Sequence, residues 1–213
     1  MNRTLRWWRT GEIYLEKPDI KDERANVLHY LSKVFPVVLK NTDQQLKSSW
    51  IAMGLNPNKI KNPDVFPKIN FGSWVGGDRD GHPFVTPAVT KETLLLHRKA
   101  ALALIREELF YLLKKLSISA IANPVPFLLT EAIDNKVKYL GETGQKVIER
   151  NPYEPWRQFI NLMICQLDAT ISENFADSKT FYKSGKPLEE DLKLLREVLT
   201  NNGLTSLAED ILF

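Results

Sequence analysis

The stretch Lys91-Glu-Thr-Leu-Leu-Leu-His-Arg-Lys-Ala-Ala-Leu-Ala-Leu-Ile-Arg-Glu-Glu-Leu-Phe-Tyr-Leu-Leu-Lys-Lys-Leu116 decides the fold class. Leu95, Leu102, Ile105, Leu109, Leu112 and Leu116 fall on one stripe at helical period, which predicts an amphipathic helix. Thr90 stands where an N-cap belongs, and Glu92 in the first turn complements the positive end of the helix. The spacing suits a coiled coil for only about three heptads, so the stripe reads as a core-facing helix.

Helical patterns extend to both sides. Asp22 to Phe35 carries Val27, Leu28, Leu31 and Phe35 at the same period, and Pro36 is expected to kink or end that helix. A second amphipathic stretch runs on to about Met53. Downstream, Pro126 to Leu140 stops at Gly141, and Gly144 separates it from a short piece ending near Arg150. Pro155 suits the first turn of a helix carrying Phe159, Ile160, Met163, Ile164, Leu167 and Ile171. Pro187 opens another, with Leu188, Leu192, Leu195 and Leu199 inward and Gly203 past its end. The expected class is mainly α, a single helical segment over 1–213 with at most one or two short strands. No strand–helix alternation builds a complete barrel or doubly wound sheet.

Composition narrows the function. The 213 residues carry 29 Lys+Arg against 26 Asp+Glu, a net charge of +3 with no run of five or six like charges, so nucleic acid is not an expected partner. The uncharged stretch around Ile118 to Thr130 holds Asn123, Pro124 and Pro126 and is too short to span a bilayer. Met1 to Thr10 carries Arg3, Arg6 and Arg9 and no apolar core, so no secretory signal is expected. The single cysteine, Cys165, excludes an internal disulfide and fits a reducing compartment; a cytoplasmic location is the expectation.

One segment interrupts the helices. Asn56 to Pro87 contains Pro57, Pro63, Pro67, Pro83 and Pro87 with Gly72, Gly76, Gly77 and Gly81, a long non-helical loop of the kind that often carries function. Within it Lys68 to Val75 reads as a short buried strand leading into a Gly-rich turn. In that turn, backbone N–H groups and Arg79 suit a phosphate or carboxylate, with Asp78 or Asp80 holding the arginine. A plain tight turn with a solvated ion pair explains the same residues. Calcium is excluded on the register that puts Gly81 sixth, because Gly76 and Pro87 then occupy positions one and twelve of the loop. Neither a Walker loop nor G-x-G-x-x-G is present. His29 and His97 lack metal-spaced partners, Cys165 sits in an apolar run, and the Trp7–Trp8 pair reads as a contact patch or a core anchor.

Phe71-Gly-Ser-Trp-Val-Gly-Gly-Asp-Arg-Asp-Gly-His-Pro83 closely resembles the phosphoenolpyruvate carboxylase signature F-G-S-W-M-G-G-D-R-D-G-N-P, departing only at Val75 and His82. Trp8-Arg-Thr-Gly-Glu-Ile13, Pro18 and Asp22-Glu-Arg24 are similar to the family's W-x-T-D-E-I-R…P…D-E, with Gly11 and Tyr14 standing for its Asp and Arg. Glu154-Pro-Trp-Arg157 resembles its E-P-Y-R, and the tail from Tyr182 through Leu188, Asp191-Leu192, Gly203 and Leu207-Ala208 is also similar. The family's H-P-T block, metal carboxylates and H-G-R-G-G loop do not occur, so the chain looks like an internal segment of a longer enzyme.

The resemblance implies an enzyme that joins bicarbonate to phosphoenolpyruvate, giving oxaloacetate and phosphate through carboxyphosphate and an enolate, with Mg²⁺ or Mn²⁺. It implies that the segment supplies helices and part of a (β/α) barrel, binds no metal itself, and is inactive alone. Arg157 then matches the arginine facing the substrate phosphate, although a helix-first-turn arginine tied to Glu154 fits its position equally. Arg79 lines the same pocket with Gly76, Gly77, Asp78, Asp80 and Gly81. Trp74 matches the wall of an apolar CO₂ pocket, or is a core aromatic. The family is usually homotetrameric, and an isolated segment is expected to self-associate. The alternative is a stand-alone helical module that binds an anion through Arg79 and Arg157.

Overall fold

The computed structural model describes residues 19–60, 65–80, 83–172, 180–209 and 211. Among them the regular elements are helices, and no strand is present. The chain divides into two compact units, Met1–Arg98 and Lys99–Phe213.

The first described helix of this unit is α1, Ile20–His29, whose entry is set by a capping box. Asp19 Oδ1 accepts the Asp22 N–H at 2.9 Å, and the Asp22 carboxylate accepts the Asp19 N–H at 3.4 Å. A π-helical turn, Tyr30–Val34, then leads into α2, Phe35–Ala52. Pro36 therefore neither ends the helix nor stands in an ordinary α-helical interior. The wider turn ahead of it accommodates the missing N–H and the bulk of the ring. After a short 3₁₀ turn, Pro57–Ile60, the described residues of 65–80 and 83–86 are irregular, and α3 begins at Pro87 and runs to Lys115.

Two sequence expectations change in this unit. Lys68 to Val75 is not a buried strand: it has no paired partner among the described residues, and Ile69, Phe71 and Trp74 are exposed. A lone extended segment has nothing to satisfy its ladder, so apolar alternation alone does not make it a strand. The α3 N-cap is Thr86 rather than Thr90. Thr86 Oγ1 accepts the Val89 N–H at 3.3 Å, and Pro87 opens the helix, where its fixed φ and missing N–H cost nothing.

The second unit is a helical cluster around α6, Pro155–Ser172. Residues 99–115 of α3, then α4 (Phe127–Leu140), α5 (Glu142–Arg150), α7 (Gly185–Asn201) and α8 (Thr205–Glu209) supply the rest. Trp156, Phe159, Ile160, Leu162, Met163 and Leu167 on α6 are buried on successive faces, as a central helix requires. Leu109, Leu112 and Leu116 from the deciding stripe join this core with Leu129, Leu195 and Leu199. The break after α4 falls at Gly141, with φ +61°, and not at Gly144. Gly144 lies inside α5, where a Cβ would come 2.9 Å from Val137 Cα, so it permits close approach of α4 and α5.

Candidate functional site: the signature turn and a basic cleft

The turn forms in the first unit through backbone bonds from Gly77 N–H and Asp78 N–H to Trp74 O, both 3.0 Å. Gly76 carries φ +76° and is buried against Thr93 of α3. A side chain there would overlap Thr93 Oγ1, so glycine is required twice, for its conformation and for its lack of bulk. Ser73 Oγ accepts the Val75 N–H at 3.2 Å, and Asp78 Oδ1 accepts the Asp80 N–H at 3.0 Å. Asp78 thus braces the loop backbone. Among the described residues neither Asp78 nor Asp80 pairs with Arg79. Gly81 and His82 lie outside the described residues, as do Trp7, Trp8, Gly11 and Tyr14.

Arg79 instead lines an open cleft of about 430 Å³ with Pro87, Thr90, Lys91, Leu94, Leu95 and Arg98 of α3. Three of these side chains are cationic and none is acidic. Trp74 stands at the turn with 79% of its surface exposed, so here it is not a core aromatic. Behind the turn, Arg24 of α1 is only 6% exposed. It donates to Thr93 Oγ1 at 3.3 Å and to Glu92 Oε1 at 3.0 Å, and Thr93 Oγ1 in turn donates to Val89 O at 2.8 Å. α1, α3 and the signature turn are therefore tied at one point. Sequence reasoning missed Arg24, Lys91 and Arg98 as parts of this site; the i,i+7 placement of Lys91 and Arg98 was the available signal.

Arg157 lies in the second unit, in the first turn of α6. Its guanidinium reaches Glu154 Oε2 at 3.4 Å, while its Nε is buried without a hydrogen-bond partner. The other Glu154 oxygen accepts the Ser117 hydroxyl. Arg157 thus has the Glu154 tie that its position in the helix suggested. Its orphaned Nε leaves it a donor not met among the described residues.

A second polar cluster sits inside this unit. Lys136 Nζ meets Asp191 Oδ2 at 2.6 Å and Gln166 Oε1 at 2.8 Å, and Tyr182 donates its hydroxyl to Asp191 Oδ2 at 2.6 Å. Burial pushes the Lys136 amine below its ordinary value, and the Asp191 charge opposes that shift. The Tyr182 phenol is driven far above its ordinary value, by burial first and then by the Asp191 carboxylate that it donates to. Tyr182 N–H donates to Thr170 Oγ1 at 2.8 Å, so the buried polar groups satisfy one another and join α4, α6 and α7. Cys165 is half-buried, and burial raises its thiol pKa. Among the described residues no three His, Cys, Asp or Glu side chains gather into a metal site. No helix among them is long and apolar enough to cross a membrane.

The family model described as "Phosphoenolpyruvate carboxylase" matches residues 1–212. The chain is similar to the protein of that name from Methylorubrum extorquens, 33% identical over 210 residues that cover 96% of this chain and 22% of the relative. It is 30% identical to the one from a Nostoc species, across 93% of this chain and 20% of that protein. A Prochlorococcus marinus protein of the same name is 32% identical across 93% of this chain and 22% of its own length. The chain therefore spans about a fifth of the length of the relatives it matches.

Proposed function

Since the chain belongs to the phosphoenolpyruvate carboxylase family, we propose that it is one section of such an enzyme, which forms oxaloacetate and phosphate from phosphoenolpyruvate and bicarbonate. The observation that carries this reading is the signature turn held by Gly76 against Thr93, with Arg79 facing a cleft free of acidic lining residues. Negative charge builds on phosphoryl and enolate oxygens in this reaction, so fixed guanidinium groups lower its barrier. In the first unit Arg79 offers such a group from the turn; in the second unit Arg157, with its unmet Nε–H, offers one suited to a substrate phosphate. The exposed indole of Trp74 forms an apolar wall that shields captured CO₂ and the enolate from water.

Family members use Mg²⁺ or Mn²⁺. The described residues of this chain do not fit that ion, because they contain no suitable group of ligands. No step assigned to these residues runs through a metal, and the 213 residues alone are expected to be inactive.

Two measurements test the reading. An antibody raised against this chain should detect a cellular product several times heavier than 24.5 kDa. In that product Arg157→Gln should lower kcat/KM for phosphoenolpyruvate by about tenfold or more, the worth of one charge-assisted hydrogen bond. A product of 24.5 kDa, or an Arg157→Gln enzyme with unchanged kinetics, overturns it.

A further inference from the structure

We infer, on the reading of Arg157 given above, that Ser117 is a positioning residue: acting through Glu154, it holds the Arg157 guanidinium for the substrate phosphate. Leu116 closes the apolar stripe of α3 inside the core of the second unit, with its N–H on Leu112 O at 3.0 Å. Ser117 follows it and so leaves that core at a fixed point. Its hydroxyl donates to Glu154 Oε1, and Glu154 Oε2 accepts from Arg157 Nη1 at 3.4 Å. Glu154 stands just before Pro155, the first residue of α6, where the open N–H groups of the first turn attract a carboxylate. Here its two oxygens bond side chains instead. Ser117 thus orients the carboxylate, and the carboxylate orients Arg157, whose Nε–H stays unmet among the described residues.

The backbone around Glu154 is held from two sides. Ala120 N–H, three residues after Ser117, donates to Tyr153 O at 2.7 Å. From α6, Gln158 Nε2 donates to Asn151 O at 2.8 Å. Between these ties Tyr153 sits at φ +66°, a left-handed conformation that is costly for a residue with a side chain. Its ring is mostly exposed, so burial of the ring does not offset that cost. The hydrogen bonds on either side do, and their joint effect is to set Glu154 between Ser117 and Arg157.

Steady-state kinetics of the full-length cellular product tests this with Ser117→Ala, Ser117→Thr, Arg157→Gln and the Ser117→Ala/Arg157→Gln pair. Ser117 is exposed, so alanine removes its hydroxyl without opening a cavity. Ser117→Ala should raise KM for phosphoenolpyruvate by about three- to tenfold, the worth of one hydrogen bond, and leave KM for bicarbonate unchanged. Ser117→Thr keeps the hydroxyl and should restore most of the loss. The pair should be no worse than Arg157→Gln alone, because Ser117 acts only through that arginine. Ser119→Ala, in the same loop but with its hydroxyl on the Ile121 N–H, should leave both constants unchanged. Wild-type kinetics in Ser117→Ala overturns the inference. So does an effect that adds to that of Arg157→Gln, or one that Ser117→Thr does not relieve. An impaired Arg157→Gln enzyme beside any of these outcomes leaves the carboxylase reading standing, whereas unchanged Arg157→Gln kinetics sinks both.

Discussion

Gly76 and Thr93 meet so closely that the glycine has no room for a side chain: an added Cβ would overlap Thr93 Oγ1 and lie 3.1 Å from Thr93 Cβ. This contact seats the signature turn on the first turns of α3 and so sets where Arg79 emerges. Gly76→Ala should cost about 1–3 kcal/mol from the positive φ alone, with the overlap adding to it. In the Gly76→Ala/Thr93→Ala pair the overlap with Oγ1 disappears, while the tight contact with the residue 93 Cβ and the backbone strain stay. Chemical unfolding of the four proteins in the cycle should give a double mutant less destabilised than the sum of the singles. Strict additivity would show that the two residues do not touch.

Arg24 is the other half of that anchorage. Its guanidinium is buried while its partner Glu92 is half-exposed, at 55% of its side chain. Removing the arginine therefore leaves a carboxylate that water can solvate, and the loss is mainly the two charge-assisted bonds. Arg24→Gln should destabilise by about 1.5–3 kcal/mol in chemical unfolding. A variant of wild-type stability would mean that the tie between α1 and α3 carries no energy.

Tyr182 predicts an alkaline limit. Its proton is held far above the ordinary phenol value, so the folded state keeps a proton that the unfolded chain loses near pH 10. The stabilisation is fully present below about pH 10 and is lost as pH rises further. Lys136 acts in the opposite sense, since its lowered value makes the folded state release a proton earlier and stability rise toward about pH 10.4. Tyr182→Phe isolates the first effect. The stability gap between wild type and Tyr182→Phe should be constant from pH 7 to 9 and change in slope above 10. A gap that stays level through pH 11 would contradict the buried, protonated phenol.

The isolated chain should self-associate. Met53, Trp74, Phe84, Ile121 and Phe127 each leave most of their surface exposed, and such side chains favour association where they fall into contiguous patches. Light scattering should give an apparent mass that rises with concentration above 24.5 kDa. A constant monomer mass with one cooperative unfolding transition would refute this.

The helices were legible wherever an apolar period ran long enough. Leu109, Leu112 and Leu116 announced a buried face, Pro155 the start of α6, and Gly141 and Gly203 the ends of α4 and α7, because period, fixed φ and positive φ are local properties. The signature was legible too: thirteen residues of particular chemistry identified the family through resemblance. What the sequence by itself determined is thus the helical class, most boundaries and the family.

The tertiary structure alone decided the rest. Lys68 to Val75 has the composition of a strand, but pairing depends on a second segment that no local pattern encodes. Pro87 read as a breaker and serves as the first residue of α3, because Thr86 just before it caps the helix's first turn. Arg24 lies 69 positions from Thr93, and Lys136 lies 55 from Asp191, so neither partnership leaves a mark in the spacing of nearby residues. Such ties form only when helices pack, where burial makes an unpaired charge costly and so selects its partner from distant parts of the chain.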